Sequence, residues 1–227
     1  MKRLASKLKH VLRSRGYDII RHKELPELLE LHRVDIVLDI GANDGGYATE
    51  LRQSGWTGPL VSFEPQPGTF GRLRQRFAGD FQWSGHQVGL GSEDAVLTMN
   101  IHEMDVLSSF LQKIETSENA QQVEVEVKRM DGILDGILGI HSRPFVKIDT
   151  QGFELEIIKG FGSRATGVIG WQLEMSVEPL YQNQPKMEEV IGLMRSLGFS
   201  LWKILPGLRD PLTLQSFEFD GIFFKRG

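Results

Sequence analysis

The sequence predicts an α/β fold, a mostly parallel sheet of seven strands with helices on both faces, and three features carry that expectation. Residues 34–47, VDIVLDIGANDGGY, form an apolar strand that runs into Asp39, a glycine-rich turn and the start of a helix. From residue 34 onward, extended and helical patterns alternate, as they do where helices cross over between strands. Residues 145–149, FVKID, read as a further core strand.

The elements follow in order. The second strand, residues 60–63, ends in Glu64-Pro65, and after the Pro67-Gly68 start Phe70, Leu73 and Phe77 make a helical stripe. A third strand is expected within residues 81–91, ending at Gln87-Val88-Gly89-Leu90-Gly91. Residues 95–101 and 123–130 read as extended, the latter by strict apolar-polar alternation. Between them lies a polar segment rich in Ser and Glu, a length of connection that compact domains use where it is functional or mobile. A short helix over 153–161 follows the strand at 145–149, and a strand over 168–176 comes next. Met187, Val190, Ile191, Met194 and Leu197 then share one helix face, with Gly198 in stopping position. Residues 200–205 and 217–225 close the chain as two extended segments.

The chain's 227 residues, 40% apolar and 25% charged, suit one large globular domain over 34–227, preceded by a helical arm over 1–33. The absence of Cys excludes disulfides and thiolate chemistry. No apolar run reaches the ~18 residues of a membrane span and the N-terminus has no signal-peptide core, so a cytoplasmic protein is expected. Residues 1–23 hold eight Lys/Arg against Asp18 alone, a net of +7, while the rest holds 18 basic and 29 acidic residues, a net of −11. Leu4, Leu8, Val11 and Leu12 recur at helical spacing in this basic arm. Two readings stay open: peripheral contact with an anionic membrane or acidic partner, or packing of the Leu stripe on the domain. The acidic body opposes nucleic acid as a partner.

Spacing separates the ligands that the glycine turn can serve. A mononucleotide loop needs Gly-Lys-Ser/Thr, which is missing after Gly45-Gly46. A dinucleotide loop needs a second glycine where Asn43 stands, and Asp44 adds negative charge there. S-adenosylmethionine fits, because its cationic sulfonium and ammonium and its ribose diol are not repelled by carboxylates. Glu64, 23 residues beyond Gly41, is an acidic residue placed for ribose hydroxyls, a device that NAD enzymes share.

Four motifs stand together: DIGANDGG at 39–46, SFEP at 62–65, KIDTQGFELEIIKG at 147–160, and QLEMSVEPLY at 172–181, with Asp220 in the terminal strand. Over about residues 34–226 the chain resembles the FkbM family of S-adenosylmethionine-dependent methyltransferases, the third motif being the most specific. The resemblance implies a Rossmann-like class I methyltransferase fold with an antiparallel last strand, and methyl transfer mostly to hydroxyls of sugars or natural products. It implies that Asp39 and Gly41 face the methionine part of the cofactor, Asn43 and Gly45 shape the turn, Glu64 holds the ribose, and Gln87 and Val88 flank the adenine. Gln151 stands where many members show other small or acidic residues.

Open α/β sheets bind ligands at the carboxyl ends of their strands, which places Asp149 and Glu174 beside the reacting methyl. Strand alternation puts Lys147 on the side of Asp149 and Gln172 on the side of Glu174. Either carboxylate is a candidate base for an acceptor hydroxyl, with helix capping and backbone binding as the structural alternatives. A divalent cation is the less favoured route, since no third ligand accompanies the two. His102 is a further candidate base, and Ser108, Ser109 and Tyr181 are candidate contacts to a small-molecule or glycan acceptor. Tyr181 and Trp171 can stack on a sugar, although aromatics near core strands are more often packing. N- or carboxyl-methyl transfer and a non-catalytic cofactor-binding scaffold are the alternative functions.

Overall fold

The computed structural model describes Ser14 and residues 25–101, 121–179 and 184–226. Seven strands form one sheet: β1 (Ile36–Ile40), β2 (Leu60–Phe63), β3 (Trp83–His86), β7 (Pro144–Ile148), β8 (Gly170–Ser176), β9 (Phe199–Pro206) and β10 (Glu218–Lys225). Their order is β3-β2-β1-β7-β8-β10-β9, parallel from β3 to β8, with β10 antiparallel to both β8 and β9. Strand order reverses between β1 and β7, the place where open sheets part to leave a crevice. The central strands β1, β2 and β7 are buried at every residue, as parallel strands covered on both faces must be.

Helices cover both faces. Leu38, Ile40, Ile148 and Leu173 point to the core shared with α4 (Met130–Leu138), α5 (Glu154–Gly160) and α6 (Met187–Ser196). Val37, Leu60, Phe145 and Phe224 point to the core shared with α1 (Leu25–Leu31), α2 (Gly46–Gln53) and α3 (Pro67–Arg76). The α3 start follows its sequence: Pro67 sits in the first turn, where no N–H is needed, and the Gln66 side chain accepts from the Thr69 N–H. Among the described residues no helix is long and apolar enough to cross a membrane.

Two sequence-based boundaries shift. The expected third strand is two strands: β3 pairs with β2, and after Gln87-Val88 the chain turns away to form β4 (Gly89–Leu90). That strand joins a second sheet, β4-β6-β5, with β5 (Ala95–Ile101) and β6 (Gln121–Lys128) antiparallel. The extended pattern of 123–130 also ends sooner, because Met130 begins α4. Helix α5 packs directly on the end of β4 at Gly160, where a Cβ would stand 2.0 Å from the carbonyl oxygen of Gly91. Gly160→Ala therefore has no room and is expected to lower unfolding free energy by about 1–3 kcal/mol, the usual cost of overpacking. Urea denaturation measures it, and an unchanged midpoint contradicts the contact.

Candidate functional site

A cavity of about 440 Å³ opens at the carboxyl ends of β1, β2, β7 and β8, above the reversal of strand order. Its wall includes Gly41 and Asn43 from the turn, Glu64 after β2, and Asp149, Gln151 and Glu174 after β7 and on β8. Phe63, Val88, Leu90 and Met99 give one side an apolar surface. Gly41 is held to glycine, with φ at +74° and a would-be Cβ 2.0 Å from the Asp149 carbonyl oxygen. That close approach brings the turn after β1 against the turn after β7.

The amides of the glycine turn are spent on the protein itself. Gly41 and Ala42 N–H both donate to the Phe63 carbonyl, at 3.1 and 3.0 Å, and Gly45 N–H donates to the Ala42 carbonyl at 2.9 Å. Asn43 N–H donates to Glu64 Oε2 at 2.9 Å, and Asp44 N–H donates to the Asn43 side-chain oxygen at 2.6 Å. Asn43 adopts φ of +48°, a left-handed conformation that asparagine tolerates better than most residues. A pyrophosphate loop needs such amides turned toward its ligand. Here all five are bonded internally, and one of their acceptors is a carboxylate. The second oxygen of Glu64 accepts from Gln66 N–H at 2.9 Å, which fixes the group at the cavity wall with only 5% of the residue exposed.

On the other side, a buried polar row crosses the α1–α3 face of the sheet. Ser62, Asp39, Lys147 and Gln172 are successive cross-strand neighbours. The Lys147 ammonium lies 3.4 Å from Asp39 and 3.3 Å from Asp149, above the Tyr47 ring at 5.1 Å. Burial works to lower its pKa, but the carboxylates of Asp149, Asp39 and Asp220 overcome it and hold Lys147 charged. Gln151 Nε2 donates to Glu174 at 2.8 Å and to Asp149 at 3.3 Å, from a backbone with φ of +55°. Gln172 donates to Asp220 at 3.1 Å.

Burial, and then the facing Asp149, Glu218, Glu154 and Asp220, push Glu174 far above the usual carboxylate range. Burial and Asp149 also raise Glu218 and Asp220. At neutral pH, Glu174 and Glu218 therefore hold a proton between them.

The structure brings Gly41, Asn43, Glu64, Val88, Asp149 and Glu174 to one cavity. It places others elsewhere. Asp39 is wholly buried behind Lys147 and is not in the lining, because Lys147 lies between it and the cavity end of β7. Gly45 lies under Phe77 and Leu73 and shapes the turn from behind. Gln87 is exposed in the link between the two sheets and is off the cavity, where Val88 alone of the pair lines it. Asp149 does not cap α5, and Glu174 binds a side chain, not backbone. Trp171 is packing, fully buried edge-on to Phe161 and Phe199. His102, Ser108, Ser109, Tyr181 and the basic arm, apart from Ser14, lie outside the described residues. Among the described residues, no three His, Cys, Asp or Glu converge as a metal site.

Two residues of the site escape sequence reasoning. Glu218 reaches the cavity from the antiparallel strand β10, opposite Ser176, and its motif-free setting gives no signal. Glu154 was visible only inside the KIDTQGFELEIIKG stretch. One of its oxygens accepts from Thr150 N–H, Thr150 Oγ and Gly152 N–H, each at 3.1 Å, and so fixes the turn that carries Asp149 and Gln151.

A seven-stranded sheet of this order, parallel but for β10, with its cavity at the reversal of strand order, defines the class as a Rossmann-like methyltransferase fold. The sequence profile of the Methyltransferase FkbM domain matches residues 39–201, and the chain belongs to that family. It is 26% identical over 143 residues to Methyltransferase 1 of Beauveria bassiana, covering 55% of this chain and 57% of that protein. It is 25% identical over 189 residues to the 2-O-methyltransferase NoeI of Sinorhizobium fredii, covering 77% of this chain and 76% of that one. The crystal structure of methyltransferase FkbM from Methylobacillus flagellatus aligns with a TM-score of 0.47 at 15% identity, over 83% of this chain and 43% of that one. The chain thus spans little more than half the length of the first relative and less than half of that solved structure.

Burial raises the pKa of Glu154 from 4.5 to about 7, against the backbone N–H groups that lower it. The native state then binds more protons than the unfolded chain, so this contribution to stability is full below about pH 4.5 and is lost as pH rises through about 7. Glu154→Gln keeps an accepting oxygen and removes the titration. Its stability relative to the parent is expected to rise by up to about 3 kcal/mol between pH 5 and pH 8. Denaturant unfolding across that range tests it, and a pH-independent difference refutes it.

Proposed function

We propose that this chain transfers a methyl group from S-adenosylmethionine to a hydroxyl of a sugar or glycosylated natural product. The observation that carries the cofactor assignment is the internally bonded glycine turn, whose amides from Gly41 to Gly45 are all taken up within the protein and which sets the Glu64 carboxylate at the cavity wall. The residues fit that cofactor. Glu64 would accept from the ribose hydroxyls, Val88, Leu90 and Met99 would offer the adenine an apolar side, and the acidic wall suits the cationic methionine end. When bound, the cofactor supplies an activated methyl group. Family membership and the similarity to a 2-O-methyltransferase support hydroxyl acceptors.

The protein's own part is to orient the acceptor and remove its proton. Asp149 is the base of choice, because it lines the cavity, its side chain is 39% exposed, and Lys147 fixes its orientation at 3.3 Å. Glu174, whose carboxyl burial and the facing carboxylates push well above the usual range, lines the same cavity beside Asp149 and walls the acceptor side.

Glu64→Ala is expected to weaken S-adenosylhomocysteine binding by about 1–3 kcal/mol in a folded protein. Calorimetric titration measures it, and unchanged affinity removes Glu64 from the ribose site. Asp149→Asn is expected to keep that binding and lose turnover by roughly 10²- to 10⁴-fold, with no effect of chelator on the parent enzyme. If chelator stops turnover and Mg²⁺ restores it, the carboxylates are metal ligands and the base assignment fails.

A further inference from the structure

We propose that the end of the cavity walled by Glu174 and Glu218 binds a protonated amine of the acceptor, so that the natural acceptor is an amine-bearing saccharide or natural product. This rests on the methyl-transfer reading, since it assigns the acceptor side of the same site. Glu218 is 4% exposed and lines the cavity, and its Oε1 is buried with no hydrogen-bond partner among the described residues. An orphaned buried carboxylate oxygen is costly and asks for a donor. The Glu218 carboxyl has side-chain hydrogen bonds to Glu174 and Gln184, which leave Oε1 unmet, while Gln151 already gives its amide to Glu174 and Asp149 and the Lys147 ammonium is occupied by Asp39 and Asp149.

Position separates this end from the cofactor. Glu64 follows β2, whereas Glu174 and Glu218 lie on β8 and β10, beyond both β1 and β7. With the ribose at Glu64, the methionine half would lie toward the β1–β7 crevice, which would leave the β8–β10 end to the acceptor. Charge decides the chemistry of what binds there. Asp149, Glu174 and Glu218 wall the cavity and Asp220 stands behind them, with Lys147 as the cation in the described wall. A neutral sugar leaves the share of that excess at Glu174 and Glu218, away from the methionine end of the cofactor, compensated only by protons. An ammonium replaces the shared proton of Glu174 and Glu218 and gives three donors to their oxygens. The same row of the sheet already shows an ammonium seated between two carboxylates at Lys147. A metal ion is the poorer occupant, because among the described residues no three ligands converge. The bound amine is not itself the methyl acceptor, since its lone pair carries the proton, and the neighbouring hydroxyl is left to Asp149.

The test titrates glucosamine, N-acetylglucosamine and glucose into the full chain saturated with S-adenosylhomocysteine. Glucosamine is expected to bind roughly tenfold to a hundredfold more tightly than the other two. Its binding should release protons, read from enthalpies in buffers of different ionisation enthalpy. Glu218→Gln should abolish the preference while S-adenosylhomocysteine affinity is kept. Equal affinities, tighter binding of a neutral sugar, no glucosamine binding, or a preference that survives in folded Glu218→Gln each overturns the proposal. Should that variant not fold, proton release by the parent decides: none on glucosamine binding overturns it. If S-adenosylhomocysteine itself does not bind, the cofactor reading fails, and the amine titration repeated without it still tests the acidic end by itself.

Discussion

The ammonium of Lys147 is the interaction on which the centre of this protein depends. It sits on β7 directly beside Asp39 of β1, at the one place where the sheet changes direction. Two carboxylates reach it, one wholly buried and one facing the cavity. Removing either charge from such a pair leaves the other buried without compensation, a loss of several kcal/mol in general. The pairing also stitches the two halves of the sheet through side chains as well as through the backbone ladder, and it orients Asp149. Structural cohesion and reactive geometry thus draw on a single buried cation.

Much of this was legible from local pattern. The strand ending in Asp39, the turn DIGANDGG, the strand at 60–63 and the alternation that pairs Lys147 with Asp149 are all properties of short segments, and the structure keeps them. The segment at 81–91 was misread because its two halves pair with different sheets, and nothing local says that Gly89 leaves β3's line to meet Val127. The DIGANDGG motif points Asp39 toward a ligand. Its actual partner is a cross-strand neighbour 108 residues away in the chain, visible only once register is known. Glu218 was illegible for the same reason, since antiparallel pairing with β8 alone brings it to the carboxyl edge.

The acidic wall shows how environment divides equivalent side chains among different tasks. Asp149 is partly open and has a cation beside it, Glu174 is enclosed among other carboxyls, and Glu154 is enclosed but met by three donors. Three chemically similar groups within one turn and one strand thus end in three different settings, one beside a cation, one among carboxyls and one as a clamp. The backbone assists, since Gln151 is held in a left-handed conformation that places its amide between two of them. Strain of this kind persists only where the surroundings impose it.

The glycine turn whose five amides are all bonded within the protein has a consequence for how a ligand arrives. Nothing in it waits for an incoming group before becoming ordered. The conformational entropy of this segment is lost during folding, so association with a nucleoside does not have to supply it. A turn finished in advance offers an incoming ligand an existing shape, and it lets even a weakly held product leave without unravelling the surface it leaves behind.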